Sequence, residues 1–206
     1  MQDDPLIEKW PYYIDGTAEH IYAIGKVSAR FNALEAHLLD MIERFTKGHL
    51  SVVDYLFERV PNNIRLIWLA LAMEADRVRP DLKAAIECFV EGYSACSDNR
   101  NLLVHAQIWG SWLTDNSAIV RKRVRSTGKL KDYKIPLETI QQVADEIEFW
   151  ERYGSHILSY LNRKAFEEKP LAKAKGVRLF GPTTLPQICE PPKKLADSFP
   201  HTQDTP

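Results

Sequence analysis

Cysteine is scarce in this sequence, and its scarcity excludes several classes of protein. Only three cysteines occur in 206 residues, Cys88, Cys96 and Cys189, and none has the C-x-x-C spacing of zinc and redox sites. An odd and scattered set also argues against a disulfide framework and fits a reducing compartment. We therefore expect no metal site and no cofactor.

Long hydrophobic runs are also missing. Arg65 and Glu74 interrupt the most apolar stretch, which leaves it too short to cross a bilayer. The first residues, Met1 to Pro5, have neither the basic nor the apolar region of a signal peptide. These absences predict a soluble, cytoplasmic protein that does not act at a membrane.

The sequence has no marked excess of charge of either sign: it contains 27 basic and 28 acidic residues, and its formal net charge is −1. Any surface for nucleic acid must therefore be local. The sequence also lacks a glycine-rich dinucleotide loop, a P-loop, a nucleophile elbow and an H-E-x-x-H pair. Common nucleotide-dependent enzymes, serine hydrolases and zinc peptidases are disfavoured as a result.

Helical periodicity is what the sequence does have. Between residues 17 and 45, apolar side chains recur at alternating spacings of three and four, which predicts a helix packed along another helix. A second segment, Ile64 to about Val78, is apolar on all sides, so we expect it to be a central helix. A last long helix is predicted to begin at Pro136, because proline is favoured at the first helical position.

The helical pattern has clear limits along the chain. Residues 1–16 are predicted to form an irregular lead-in, and residues 17–168 a single helical domain. From residue 169 to 206 the chain is rich in proline and has no periodicity, which predicts a disordered tail. The expected fold class is all-α, a helical bundle with one insertion.

That insertion has the periodicity of strands. From about residue 118 to 135, apolar and basic side chains alternate around a turn at Gly128, which predicts a short basic β-hairpin. Seven basic residues here face one acid, and they are Arg121, Lys122, Arg123, Arg125, Lys129, Lys131 and Lys134. Such a concentration predicts sequence-independent binding to phosphates. Lysines that protect a sheet edge from aggregation are the alternative explanation.

The residues with the most chemistry form one short run, from Asp98 to His105. Ser97, Asp98 and Asn99 are all types that cap helix N-termini. They predict a break near residues 94–98 and a new helix running to about Trp109.

Within that helix, Asn101 and His105 are four residues apart and share a face, with Arg100 beside it. A helix N-terminus favours anions. Adding a guanidinium and a titratable imidazole predicts a phosphate site with an acid/base group. The alternative is a surface arginine near a histidine satisfied within its own helix.

The arrangement Arg100-Asn101-x-x-x-His105 in a mainly helical chain resembles the R-x(4–6)-H motif of the HEPN superfamily, the higher eukaryotes and prokaryotes nucleotide-binding domains. The resemblance covers residues 17–165 apart from the hairpin. It implies a HEPN-like helical bundle. Many members are metal-independent ribonucleases of toxin–antitoxin, abortive-infection and other defence systems.

The resemblance also implies roles for particular residues. His105 would be the general base and Arg100 would stabilise charge on the phosphate, while Asn101 would orient the imidazole or donate to a phosphate oxygen. Glu35 is the candidate for the acidic residue that some members place on an early helix, and Asp98 lies near the same stripe. In the family, a homodimer combines two motifs in one cleft.

The expected function is therefore a metal-independent endoribonuclease acting on RNA as a homodimer. An antitoxin or other regulatory protein is a further expected partner. The alternative is a catalytically inactive HEPN-like domain that serves as a nucleotide-binding or protein-interaction module.

Overall fold

Helices and one small sheet make up the described part of the chain. The structure, a computed structural model, describes residues 18–46, 57, 59–105, 107–109 (backbone only), 116–123, 129–167 and 181–199. In chain order the elements are α1 (Ala18–Thr46), α2 (Asn62–Ala75), α3 (Pro80–Val104), β1 (Gln107–Trp109), β2 (Ser117–Arg123), β3 (Leu130–Pro136), α4 (Leu137–Glu167) and α5 (Leu195–Ser198). The predicted mainly helical class is confirmed. The predicted lead-in, residues 1–16, lies outside the described residues.

Two long helices, α1 and α4, form the centre of the fold. Arg30 binds Glu148 at 3.0 Å and Glu151 at 3.2 Å, and further along α1 Arg44 donates to the Leu161 carbonyl at 2.9 Å. Residue numbers rise together in these contacts, so the helices run parallel. The apolar side chains that recur every three or four residues along α1 are buried in the core, apart from Ile24, which is partly buried.

The prediction that the second apolar helix is central is wrong. Ile67 and Leu71 of α2 are 50% and 58% exposed, because only one face of α2 packs on the helical core. That face includes Arg65 and Leu69. The helix also ends before Val78, because Arg77 takes a left-handed conformation with φ of 50° that stops helical hydrogen bonding.

The predicted break near residues 94–98 does not exist, because α3 is continuous from Pro80 to Val104. The capping-type side chains are used in tertiary contacts instead. Ser97 accepts a hydrogen bond from the Asn62 amide at 3.0 Å, and Asn99 is 2% exposed. These residues therefore join α3 to its neighbours and do not begin a new helix.

The predicted hairpin is present but belongs to a larger sheet. β2 and β3 pair antiparallel, and β1 pairs with the other edge of β2 to give the order β1-β2-β3. Residues 107–109 were predicted as helix and form β1 instead. Their backbone pairs with residues 119–121, a contact that local sequence cannot reveal.

One face of the β2–β3 hairpin packs on the core. Ala118 is opposite Ile135, Val120 is opposite Tyr133, and all four are buried. The sheet therefore attaches to the bundle through this face, near the end of α3.

The prediction of a disordered tail needs correction for residues 181–199, which we name the C-terminal strap. The strap has few backbone hydrogen bonds of its own, as its prolines require, but the body of the protein holds it. Asn99 donates to the Lys193 carbonyl at 3.0 Å and accepts from the Leu195 amide at 2.8 Å. Leu195 is 5% exposed. Residues 169–180 and 200–206 lie outside the described residues.

Within the ranges given above, no helix combines the length and the apolar character needed to cross a bilayer.

Candidate functional site

The motif lies at the C-terminal end of α3, and not at a helix N-terminus as predicted. Arg100 is in the last turns, and His105 is the residue that follows the helix, with φ of −103° and ψ of 0°. A helix C-terminus presents free carbonyls and the negative end of the dipole, which favours cations. Any affinity for phosphate must therefore come from the side chains.

Arg100 contacts the other two side chains of the motif, Asn101 and His105. Its Nη1 donates to Asn101 Oδ1 at 3.0 Å and lies 2.5 Å from His105 Nε2. Because a guanidinium can only donate, Nε2 must accept, so this contact requires the neutral imidazole with its proton on Nδ1. The guanidinium carbon also lies 5.5 Å from the centre of the Phe31 ring, within cation–π range. The geometry brings Arg100, Asn101 and His105 together as predicted.

A second arginine, Arg65 of α2, lies behind the motif. It forms an ion pair with Glu35 of α1, and its Nη1 donates to Asn62 Oδ1 at 3.0 Å. Its guanidinium stacks over the Phe57 ring at 3.9 Å. Sequence reasoning missed Arg65 as a site residue. The signal was present, since a charged residue in the most apolar segment of a chain needs a buried partner.

Tyr93 is a buried tyrosine whose hydroxyl feels the charge of both arginines and makes no hydrogen bond to a described residue. It is fully buried, and burial raises the pKa of its hydroxyl above the ordinary value, with the charge of Glu35 adding to the effect. The positive charges of Arg65 and Arg100 act on the same hydroxyl and lower its pKa. The raised pKa means that Tyr93 keeps its proton at physiological pH. Glu35 binds Arg65 and acts on the same hydroxyl as Arg100, and its role beside the motif stays a prediction.

We name this group the arginine cluster, and its members are Glu35, Arg65, Tyr93, Arg100, Asn101 and His105. Two guanidiniums and one carboxylate leave one net positive charge when His105 is neutral. The Nε atoms of Arg65 and Arg100 are buried and make no hydrogen bond to a described residue. Excess positive charge beside an exposed imidazole suits an anionic ligand such as a phosphate.

Asp98 is not part of the cluster. Its carboxylate binds the Lys194 ammonium of the C-terminal strap at 2.6 Å. This contact and those of Asn99 hold the strap on α3. The structure thus assigns Asp98 a contact with the strap, whereas its place near the motif stripe had made it a candidate site residue.

The basic residues of the hairpin do not form one surface. Side chains alternate between the two faces of a strand, so the contiguous run from Arg121 to Arg123 is necessarily divided. Lys122 and Lys131 are opposite each other on the face that packs on the core, whereas Arg121, Arg123 and Lys134 project from the other face. Lys129 is exposed just before β3, and Arg125 lies outside the described residues.

Arg121 is further limited by an ion pair. Its Nε and Nη2 donate to the two carboxylate oxygens of Asp132, both at 2.7 Å. The hydrogen bonds from Arg121 lower the pKa of Asp132 against the opposing effect of burial. This bidentate pair is a cross-strand contact that stabilises the hairpin. Lys122 and Arg123 are the exposed basic residues of β2.

The register of the sheet places these residues near the motif. β1 begins two residues after His105, and its first residue, Gln107, is opposite Arg121. Because the pair is antiparallel, β2 continues from Arg121 to Arg123 in the direction of the α3 C-terminus. Lys122 and Arg123, the exposed basic end of β2, therefore lie at the same end of the sheet as His105.

Comparison of the chain with protein-family models, with curated proteins and with solved structures found no match. In the described ranges, no group of three or more histidine, cysteine, aspartate or glutamate side chains could hold a metal ion. The site is thus defined by its geometry, as a positively charged cluster with an exposed imidazole on a mainly helical fold. Membership of the HEPN superfamily stays a prediction.

Proposed function

We propose that this protein is a metal-independent endoribonuclease of HEPN type, with Arg100 and His105 as its central catalytic residues. One observation carries the proposal. Arg100 Nη1 contacts both Asn101 and His105 at the exposed end of α3, so a cation for phosphate and a base for a hydroxyl are adjacent. Cleavage of RNA without metal needs these two functions.

The contact between Arg100 and His105 suggests how the chemistry would begin. A phosphate of the RNA would draw the Arg100 guanidinium away from His105, which frees the Nε2 lone pair. Nε2 would then take the proton of the adjacent 2′-hydroxyl, and the 2′-oxygen would attack phosphorus. The bond to the 5′-oxygen breaks, and that oxygen leaves with a proton from water. The hydroxide formed takes the proton from the His105 imidazolium, which restores the base. The products are a 2′,3′-cyclic phosphate and a 5′-hydroxyl.

Arg65 would act behind these groups. Its ion pair with Glu35 and its stacking on Phe57 fix the Arg65 guanidinium in the neighbourhood of Tyr93. Because Glu35 neutralises Arg65, the charge that would stabilise the phosphorane-like transition state is that of Arg100, and Arg65 would position the groups around it.

The direct test is cleavage of a labelled RNA in EDTA. We expect fragments that end in a cyclic phosphate, because the proposed chemistry uses only side chains. Intact RNA under all conditions, with RNA bound, would contradict the proposal.

A second candidate is a catalytically inactive nucleotide-binding or protein-interaction module. The same 2.5 Å contact favours it in one respect, because Arg100 occupies the nitrogen that a base must have free. A module of this kind would bind RNA or nucleotides through Arg100 and leave them uncut. Binding measured beside the EDTA cleavage assay separates the two candidates.

The proposed nuclease should be a homodimer, because one Arg100–His105 pair is a small active site. An isologous interface near the C-terminal end of α3 would bring two pairs into one cleft. We expect light scattering to show a dimer at micromolar concentration. A stable monomer with full nuclease activity would contradict the two-motif cleft while leaving the cleavage chemistry in place.

The exposed basic end of β2 should contribute to RNA affinity. Changing Lys122 and Arg123 together to glutamine should weaken RNA binding for all sequences. It should also reduce the slope of log K against log salt by about 1 for each phosphate that the variant no longer neutralises. Arg121 is left unchanged, because its replacement would remove the bidentate cross-strand pair with the half-buried Asp132.

Arg152→Gln is the control for loss of a positive charge outside the sheet, and it removes one charge where the β2 variant removes two. Arg152 is 76% exposed, and it lies fifteen residues beyond Leu137 in α4, about 22 Å along the helix from the sheet. Affinity and salt slope should stay at the wild-type values in this control. If the β2 variant also stays at those values, the hairpin has no part in RNA binding.

A further inference from the structure

Two of the three cysteines meet in the fold, although they are 101 residues apart in sequence. Cys88 lies on α3 and is 6% exposed. Cys189 lies on the C-terminal strap and is half-buried. The Cys88 thiol lies 3.2 Å from the Cys189 carbonyl oxygen, and the neighbouring Cys88 thiol adds to burial in raising the pKa of Cys189.

We propose that Cys88 and Cys189 are a modification site, a dithiol that closes to a disulfide and fastens the C-terminal strap to α3. A disulfide needs Cα atoms about 4.4–6.8 Å apart. The backbone fixes that separation, and the contact of the Cys88 sulfur with the Cys189 carbonyl oxygen places the two residues side by side. Rotation of the side chains then has only to bring the two sulfurs together. Because Cys189 is half-buried, a small oxidant can reach the pair from solvent.

The oxidant required is hydrogen peroxide. The Cys189 thiolate would attack one peroxide oxygen, so that the O–O bond breaks, water leaves after protonation and a sulfenic acid forms. The Cys88 sulfur then attacks the sulfenic sulfur, the S–S bond forms, and the S–O bond breaks with loss of a second water. The two thiols together lose two electrons and the peroxide gains them.

The third cysteine provides a comparison within the same helix. Cys96 is 1% exposed and lies eight residues after Cys88 in α3, about 12 Å along the helix. Burial raises the pKa of its thiol, and the charge of Glu146 adds to the effect. Because its thiol is closed off from solvent, whereas Cys189 is half-buried, Cys96 should stay reduced under conditions that oxidise the Cys88–Cys189 pair.

The disulfide would act on the part of the strap next to the motif. From Cys189 the strap continues to Lys193, Lys194 and Leu195, which are held by Asn99 and Asp98 at the start of the motif run. Those contacts are hydrogen bonds and one ion pair, which can open. A covalent bond at Cys88 would keep the strap beside α3 each time they do.

The experiment is oxidation of the full chain with hydrogen peroxide. Burial and the neighbouring Cys88 raise the pKa of Cys189 to about 11, so the reaction is run at about pH 8.5 to increase the thiolate fraction. We expect the count of free thiols in denaturant to fall from three to one. The product should run as a compact monomer on a non-reducing gel and yield a peptide pair linked through Cys88 and Cys189. Its melting temperature should rise by roughly 5 °C or more.

Two variants make the outcome decisive. Cys96→Ala should lose both remaining thiols and form the same linked peptides. Cys189→Ser, a change at a half-buried position, should fold normally, keep two free thiols and show no rise in melting temperature. If the wild type keeps three thiols, or forms only cross-linked dimers or sulfinic acid, the pair is not a disulfide site. Nuclease activity does not enter any of these measurements.

Discussion

Replacing His105 with alanine should lower RNA cleavage by about 100-fold or more while RNA affinity stays close to that of the wild type. The expected loss is that of a general base. Affinity should persist because Arg100 and the rest of the arginine cluster would still hold the phosphate. The measurement pairs cleavage of a labelled RNA in EDTA with a binding assay on RNA that cannot be cut.

Arg100 should behave differently from His105. Arg100→Ala removes a phosphate contact as well as charge stabilisation in the transition state, so both cleavage and affinity should fall. Arg100→Lys should restore much of the affinity but little of the cleavage, because lysine keeps the charge without the planar pair of donors.

Thermal melts provide the control for these variants. His105 is exposed, so His105→Ala should melt close to the wild type, and Arg152→Ala should match the wild type in both cleavage and stability. If His105→Ala melts many degrees lower, and its folded molecules cleave RNA at the wild-type rate, then His105 is a structural residue and the catalytic proposal is wrong.

Gly92→Ala should destabilise the protein by about 3 kcal/mol, as expected for an extra carbon forced into a packed core. A Cβ at Gly92 would overlap the ring of Trp150. Trp150 is 1% exposed and is enclosed by the core, so its ring has no free space into which to move. The clash outweighs the gain of about 1 kcal/mol that alanine normally brings to a helix. Urea unfolding measures the difference.

Gly25→Ala is the matched control, since it makes the same substitution in α1. A Cβ at Gly25 would meet nothing within 4 Å. Alanine should therefore stabilise the protein by about 0.5–1 kcal/mol, through helix propensity alone. A Gly92→Ala protein that unfolds at the same or higher urea concentration than the wild type would contradict the close packing of α3 against α4.

Local periodicity predicted the elements whose boundaries depend on neighbouring residues. The helix expected over residues 17–45 is α1, Ala18–Thr46, because its seam of apolar residues matches the helical repeat and packs along α4. The hairpin expected over residues 118–135 is the β2–β3 pair, because alternation with a period of two matches the pleat. In both cases the information lies within a few residues.

Side chains that serve distant partners misled the local prediction. Ser97, Asp98 and Asn99 have the pattern of a helix N-terminus, yet they bind Asn62 and the C-terminal strap within a continuous α3. A cap and a tertiary hydrogen bond use the same oxygen atoms, so residue type alone does not distinguish them. The position of the motif within its helix was mispredicted for this reason.

The sequence by itself determined the helical class, the hairpin and the proximity of Arg100, Asn101 and His105, because five residues span only about 7.5 Å along a helix and a long arginine side chain covers that distance. Only the tertiary structure decided what surrounds them. It brought Glu35 and Arg65 from separate helices to Tyr93, and Cys189 to Cys88. Such contacts depend on how helices and the strap pack across the core, and that packing is a sum over many buried side chains that no short stretch of sequence contains.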